Sequence, residues 1–484
     1  MKIKEYLHKY YNKYFDKLIV NNHEITKVTD FSKDVSKNTC FVNLKDSTND
    51  LYINEAIKLG AKTIITSLNF NKEIKEKINI IKVESPKVEL ARLLKCLYFN
   101  KYHKMPITIG VSGTCGKTTV TSLLYETLKN LNKDVLLIGS NGVKSFYGLK
   151  ETSFTTSNTT PSITKIYKYL MMNEMNYDYF VLEVSSQGIC ESRVLGLEFD
   201  YSLITNFNKE HLEYHKTYED YLNSKGRLLL NTKNATVLFK DMEEFDYFYK
   251  LSDIKKLTYG YNNANVNIKV LNSTLDETIF IIKYEGNEYL IKTKLISKYN
   301  IFNITAVFSM LVTLDIPIND IIYVLNKLSQ VEGRMNVFEK NGVKIIVDYA
   351  HSTLATKEVL EYLNNIKKER IISVFGVGGN RDKEKRSSLG SLVCEYSDIV
   401  IFTEDNSRDE NVNDIINDLT KDVKKKNFII ETNRKNAIEL ALNASYKGDI
   451  VVILGKGNEN KIIGKEVREF SDLKYVMEYV NKYE

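Results

Sequence analysis

The residues most able to do chemistry in this chain form one run, Gly110-Val111-Ser112-Gly113-Thr114-Cys115-Gly116-Lys117-Thr118-Thr119. A glycine-rich loop can turn its backbone N–H groups inward around phosphate oxygens, and a helix that follows adds the positive end of its dipole. Lys117 then supplies a point charge to the β- and γ-phosphates, and the Thr118 hydroxyl can ligate Mg²⁺. Gly113, Thr114, Gly116 and Thr119 complete the cradle of a nucleoside triphosphate. Counted from Gly113 the motif is short, and counting Gly110 as its first glycine restores the spacing. Cys115 is either a reactive thiol or a small residue that a turn tolerates.

Further polar sets stand where such a loop needs company. Tyr179 to Leu182 is an apolar run ending at Glu183-Val184-Ser185-Ser186, and Tyr201 to Thr205 is another, ending at Asn206. Ligands of doubly wound sheets gather at the carboxyl ends of strands. Glu183 therefore suits Mg²⁺, or caps the next helix. Two of the six histidines, His211 and His215, share one short motif, which invites a metal or phosphate role. In the helix beyond it Lys225 lies on the same apolar face as Tyr218, Tyr221, Leu222, Leu228 and Leu229. An unpaired ammonium there is costly. Either it snorkels to water, or its charge is altered or compensated at an active site.

The elements that must position these groups read as α/β with three domains, 1–103, 104–330 and 331–484, since single cores stop growing near ~250–300 residues. Ile107, Ile109 and Val111 alternate as a strand before the loop, and Thr119 to Leu131 has helical spacing after it. The first hundred residues hold strands near Cys40 and Ile64 and helices near Ile53 and Lys87. The segment from Asp253 to Ile296 alternates like an antiparallel hairpin region appended to the central sheet. In the last third, strands at Ile345–Val347, Ile371–Phe375, Ile399–Phe402, Phe428–Ile430 and Ile450–Leu454 alternate with helices, the rhythm of a parallel, Rossmann-like sheet. The polar loops after them include Asp348 to His351, Gly376 to Asp382, Glu404 to Arg408 and Gly455 to Glu459. Together they describe a pocket on one rim. Gly376, Gly378 and Gly379 do not make the dinucleotide fingerprint.

Composition narrows the classes. With 43% hydrophobic and 27% charged residues the chain reads as ordinary globular material. A net charge of +6, spread over separate lysines, argues against a nucleic-acid surface. No run approaches the ~18 apolar residues of a membrane span, and the first residues lack the apolar core of a secretory signal, so a cytoplasmic, membrane-free protein is expected. Five scattered cysteines make neither a zinc knuckle nor a disulfide framework.

The ordered set resembles the Mur ligase family over essentially the whole chain. It comprises the phosphate loop, Asn158-Thr159-Thr160-Pro161, Glu183 to Ser186, Asn206, His211 to His215, Lys225, Asn300 and Asn303. It continues with Gly333-Arg334-Met335, Asp348 to His351, Gly379 to Asp382, Asp405 to Arg408 and Gly455 to Glu459. The resemblance implies an ATP- and Mg²⁺-dependent amide ligase of peptidoglycan synthesis, which turns a carboxylate into an acyl phosphate and lets an amine displace phosphate. Within the family it points to the step that adds the third stem-peptide residue to UDP-MurNAc-L-Ala-D-Glu, acting as a monomer. It implies catalytic Lys117, Glu183, His211 and Lys225, with Thr118, Glu183, His211 and a carbamylated Lys225 around metal. Asn303, Arg334, Asp348 and His351 match nucleotide positions. Ser32, Thr159, Thr160, Ser185 and Arg193 match positions that hold the muramoyl substrate. Arg381, Asp405, Asn406, Arg408, Gly455 and Glu459 match the incoming amino acid's pocket. The domains would bind the UDP-substrate, ATP and the amino acid in that order along the chain.

Arg381, Asn406 and Arg408 can clasp a carboxylate, and Glu459 can meet a distal ammonium. The expected amino acid is thus meso-diaminopimelate, then a relative such as lanthionine, then lysine. The sequence departs from the family pattern at Ser407, Asn458, Glu210 and Ser352-Thr353, and in the first domain at Phe31-Ser32-Lys33 and Asp46 to Asp50. Competing readings are a folylpolyglutamate-synthetase-like ligase, a simple phosphate-loop ATPase switch, and a scaffold without activity.

Overall fold

A computed structural model describes residues 1–10, 22–45, 51–69, 78–98, 105–156, 158–174, 176–210 and 212–482. Three main sheets follow one another along it. The first has four parallel strands, Lys27–Thr29, Thr39–Val42, Thr63–Thr66 and Asn79–Lys82, paired in chain order. Its two middle strands are buried at every position, as parallel strands covered on both faces must be.

The second sheet has eleven strands. Its parallel centre runs, in spatial order, Val135–Gly139, Tyr179–Glu183, Ile107–Ser112, Phe199–Ile204, Thr232–Phe239 and Lys255–Gly260. Strand order reverses beside Ile107–Ser112, so the crevice above its carboxyl end lies where such sheets bind ligands. Antiparallel ribbons extend both edges. One is the expected hairpin region, with strands Val266–Ser273, Thr278–Tyr284 and Asn287–Thr293. It begins later than expected, because Lys255–Gly260 still pairs in parallel. The other ribbon, Gly142–Tyr147 with Lys150–Phe154, is not foreshadowed in the sequence. Its outer strand is exposed at all five positions and carries no apolar alternation for a period-two reading to find.

The third sheet runs Asn336–Lys340, Val343–Asp348, Ile450–Leu454, Ile371–Phe375, Ile399–Phe402 and Phe428–Ile430. All pairs are parallel except the added first strand. The five expected strands are all present. Leu275, Ile296 and Tyr299, from the central portion of the chain, pack into this sheet's core. Beside them Tyr362 donates its hydroxyl to the Thr274 carbonyl at 2.9 Å, and Lys344 meets Asp276 at 2.6 Å. Among the described residues no helix is long and apolar enough to cross a membrane.

Candidate active site

A cleft of about 1290 Å³ lies between the central and C-terminal sheets. Its floor is the phosphate loop, which joins Ile107–Ser112 to the helix Lys117–Asn130. Gly113 and Gly116 hold φ +143° and +81°, conformations that glycine adopts at no steric cost. A Cβ on Gly116 would stand 2.5 Å from Asn303 Oδ1. The N–H groups of Thr114 and Cys115 are held by Asn206. Among the described residues those of Gly116, Lys117, Thr118 and Thr119 meet no acceptor, and all four residues line the cleft. Lys117 folds back onto the carbonyls of Gly113 and Thr114 at 2.9 and 2.8 Å. Weak carbonyl contacts of this kind leave the ammonium available to a stronger anion.

Beside the loop, Glu183 ends its strand almost fully buried. Thr118 donates to Glu183 Oε1 at 3.0 Å, and Ser140 donates its N–H to Oε2 at 2.9 Å. The Ser140 hydroxyl also lies 2.8 Å from that of Thr159. This pairs a hydroxyl and a carboxylate of the type hard divalent ions take. Among the described residues no group of three or more acidic, His or Cys side chains stands ready for a metal. His211 lies outside the described residues. His215 is buried and its Nε2 is 2.9 Å from Ser186 Oγ on the cleft wall.

Lys225 does not snorkel. It is buried, with Nζ donating to the Gly113 carbonyl at 2.7 Å and standing 4.7 Å from the Tyr221 ring centre. Burial, with the Lys117 charge second, holds its ammonium well below the usual lysine range. Cys115 also resolves: burial, with Glu210 second, pushes its thiol up to about 12, so it is not a reactive thiolate.

The facing wall comes from the C-terminal part of the chain. Arg334 donates Nη2 to Thr118 Oγ1 at 3.3 Å and stacks 4.3 Å from the Tyr349 ring centre. Its Nε is buried and, among the described residues, has no hydrogen-bond partner. Asp348 accepts from the N–H groups of Met335 and Ala350, both at 2.7 Å, and burial raises its carboxyl above the usual range while Arg334 opposes. His351 is exposed, with Nδ1 2.8 Å from the Tyr349 carbonyl. At the mouth Asn458 donates to Asn141 at 3.0 Å across the two sheets.

Of the other expected substrate residues, Thr159, Ser185, Arg193 and Arg381 line the cleft. Thr160 does not: it is fully buried, donating to the Glu183 carbonyl at 2.8 Å while its own carbonyl accepts from Arg193 at 3.0 Å. It buttresses the wall that the others form. Ser32 sits in the first sheet's unit, where its hydroxyl donates to Glu55 at 2.5 Å. Asp46 to Asp50 lie outside the described residues.

Asp405, Asn406, Arg408, Gly455 and Glu459 gather at one corner behind Tyr349, whose hydroxyl lies 3.4 Å from Glu459 Oε1. Asn406 donates to Glu459 Oε2 at 2.7 Å. Arg408, at φ +53°, donates Nη1 to the Gly379 carbonyl at 2.5 Å. Gly455, at φ +112°, packs against Asp405. Sequence reasoning did not single out Ser140 or Asn141, and it named Tyr349 and Lys456 only as members of the polar loops after two strands. Ser140 and Asn141 follow the strand Val135–Gly139, and the strand-end rule applied to that loop would have found them.

Comparison with known proteins agrees with this geometry. Residues 111–311 match the Mur ligase middle domain, and residues 333–457 match the Mur ligase, glutamate ligase domain. A UDP-N-acetylmuramoyl-L-alanyl-D-glutamate–2,6-diaminopimelate ligase of Clostridium acetobutylicum is 32% identical over 95% of this chain and 96% of its own. A namesake in Clostridium perfringens is 33% identical over 95% and 96%. A solved structure of a ligase with the same name superposes with TM-score 0.67 at 24% identity, covering 95% of both chains. MurF ligase from Thermotoga maritima in complex with ADP gives 0.66 at 20%, over 96% and 98%. With both domain models matched in order and relatives this similar over nearly their full length, the chain belongs to the Mur ligase family.

Proposed function

We propose that this chain uses ATP to join meso-diaminopimelate to the D-glutamate carboxylate of UDP-MurNAc-L-Ala-D-Glu, building the third position of the peptidoglycan stem peptide. One observation carries the reading: the N–H groups of Gly116 to Thr119, which meet no acceptor among the described residues, line a single cleft with Lys117, Arg334 and Tyr349, and Tyr349 borders the Glu459 corner. That spacing of donors fits a triphosphate on the floor. Relatives named as diaminopimelate ligases support the acceptor.

Lys117 and the loop N–H groups bind the β- and γ-phosphates, and Arg334 meets the charge that develops as the γ-phosphoryl group moves. Such transfers need positioning and charge neutralisation more than covalent help. The substrate carboxylate oxygen attacks phosphorus and ADP leaves. The amino acid's amine then attacks the acyl carbon, and phosphate leaves with its electron pair. Mg²⁺ would be held by Thr118 and Glu183, with His211 and Lys225 as the further ligands the family pattern assigns, and would neutralise phosphate charge. Lys225 supports this arrangement as a carbamate, because its depressed basicity favours the neutral amine that adds to CO₂. Asn303, Asp348 and His351 close over the nucleotide. Thr159, Ser185 and Arg193 hold the muramoyl dipeptide, buttressed by Thr160, and Ser32 belongs to the uridine side. We divide the work as 1–103 for the UDP-substrate, 104–330 for ATP and 331–484 for the amino acid. The ATP requirement supports a cytoplasmic enzyme.

The test is ATP turnover and amide product measured against a panel of amino acids with the UDP-muramoyl dipeptide present. Diaminopimelate should give the highest kcat/KM. Lysine outcompeting it would overturn the acceptor, and ATP hydrolysis indifferent to any amino acid would return the chain to a simple ATPase.

A further inference from the structure

Lys456 has no exposed surface. Its ammonium donates to Glu459 Oε2 at 2.7 Å and to Asn406 Oδ1 at 3.1 Å, and lies 3.7 Å from Asp405 Oδ1. Buried charge is tolerated only with partners of this kind. The backbone enforces the placement. Gly455 and Gly457 flank the lysine at φ +112° and +54°, and a Cβ on Gly457 would stand 2.6 Å from the Gly333 carbonyl oxygen. The loop is built to turn a lysine inward.

What remains for a ligand follows from the bonds already made. Glu459 Oε2 is taken by Lys456 and Asn406, whereas among the described residues Oε1 has only the Tyr349 hydroxyl at 3.4 Å, a long contact for this donor type. Arg408 has Nη1 on the carbonyls of Gly379 and Asn406, and among the described residues its other N–H groups meet no acceptor. Asn406 ties the two together. The corner thus offers one carboxylate oxygen and one guanidinium edge. Its carboxylates, Asp405 and Glu459, are balanced by Lys456 and Arg408.

We infer that Lys456 is a positioning residue that fixes Glu459 and cancels its surplus charge, so that the corner selects an amino acid whose far end is a zwitterion over one ending in a lone ammonium. The inference rests on the ligase reading above and deepens it. A zwitterionic head group gives its ammonium to Glu459 Oε1 and its carboxylate to Arg408. A lone ammonium meets a carboxylate already compensated by Lys456 and faces Arg408 with nothing to offer it. Without Lys456 the corner would carry net negative charge and would welcome the lone ammonium.

The experiment compares diaminopimelate with lysine in wild type, Lys456→Met and Lys456→Arg. In Lys456→Met the KM for diaminopimelate should rise about tenfold, the equivalent of ~1.4 kcal/mol. The ratio of kcat/KM for lysine over diaminopimelate should also rise about tenfold, with the KM for ATP unchanged. Lys456→Arg should restore much of the wild-type ratio. Equal losses with both amino acids, leaving the ratio unmoved, would overturn the inference. Should Lys456→Met fail to fold, Glu459→Gln gives the test with opposite sign: it should depress lysine use further than diaminopimelate use, and a uniform loss overturns the proposal. A wild-type enzyme inactive with diaminopimelate would instead refute the ligase reading itself.

Discussion

The two sides of the cleft are built on opposite plans. On the phosphate floor polar groups are left open: among the described residues four N–H groups meet no acceptor, and Lys117 rests on carbonyls. At the amino-acid corner the polar groups satisfy one another through Asn406, Lys456, Asp405 and Glu459. The floor binds by filling vacancies, which suits a ligand of fixed shape and high charge. The corner is mostly satisfied within itself and offers a ligand one carboxylate oxygen and one guanidinium edge, which suits discrimination between similar molecules.

Each prediction strains one side of this contrast. Lys225→Ala should lower ligation by about 10³-fold or more, with partial rescue by a short carboxylic acid in a turnover assay; unchanged turnover would remove the carbamate from the floor. Arg408→Ala should raise the KM for the amino acid by about 10- to 100-fold and leave the KM for ATP alone. The reverse split would merge the two sides into one. Gly116→Ala forces a side chain into a left-handed conformation beside Asn303, a strain of about 1–2 kcal/mol, and should raise the KM for ATP about tenfold, read by steady-state kinetics.

The smallest effect concerns the loop bearing Arg381. Glu410 accepts from the Asn380 N–H and from Arg386, and the Arg386 bonds hold its carboxyl down at about 2 against an ordinary 4.5. A depressed carboxylate stabilises the fold above about pH 4.5 and loses that contribution as pH falls toward 2. Glu410→Gln should therefore lower Tm by about 2–4 °C near pH 6, with the gap narrowing at pH 3 in thermal melts. A gap that widens on acidification would contradict the pairing.

How legible each side was follows from the same plans. The floor is one contiguous run between a strand and a helix, so the order of residues nearly spells the geometry. Helical period puts Lys225 on the face of Tyr221 and Leu228, which leaves snorkelling and burial both open, and the structure shows burial. The corner comes from separate strand ends joined only in space: the sequence reads Gly455 to Glu459 as a polar pocket loop, but the inward turn of Lys456 toward Asp405 and Glu459 is set by contacts between loops. Thr160 looked like a ligand-binding hydroxyl and proved to be a brace. The Lys150–Phe154 edge strand lacked the apolar pattern that announces a strand. The second domain boundary is blurred physically, because Ile296 and Tyr299 belong to the C-terminal core.

That shared core has a mechanical consequence. At one end of the seam Ile296 is buried in the C-terminal core with Leu275 and Tyr299 packed against it, whereas elsewhere single hydrogen bonds join Asn141 with Asn458 and Thr118 with Arg334. Single hydrogen bonds in reach of water are worth only ~1 kcal/mol each, and buried side chains of that size resist separation by more. The seam is therefore fastened unevenly, by apolar packing at one end and by single hydrogen bonds at the other, so the polar end is the weaker to part.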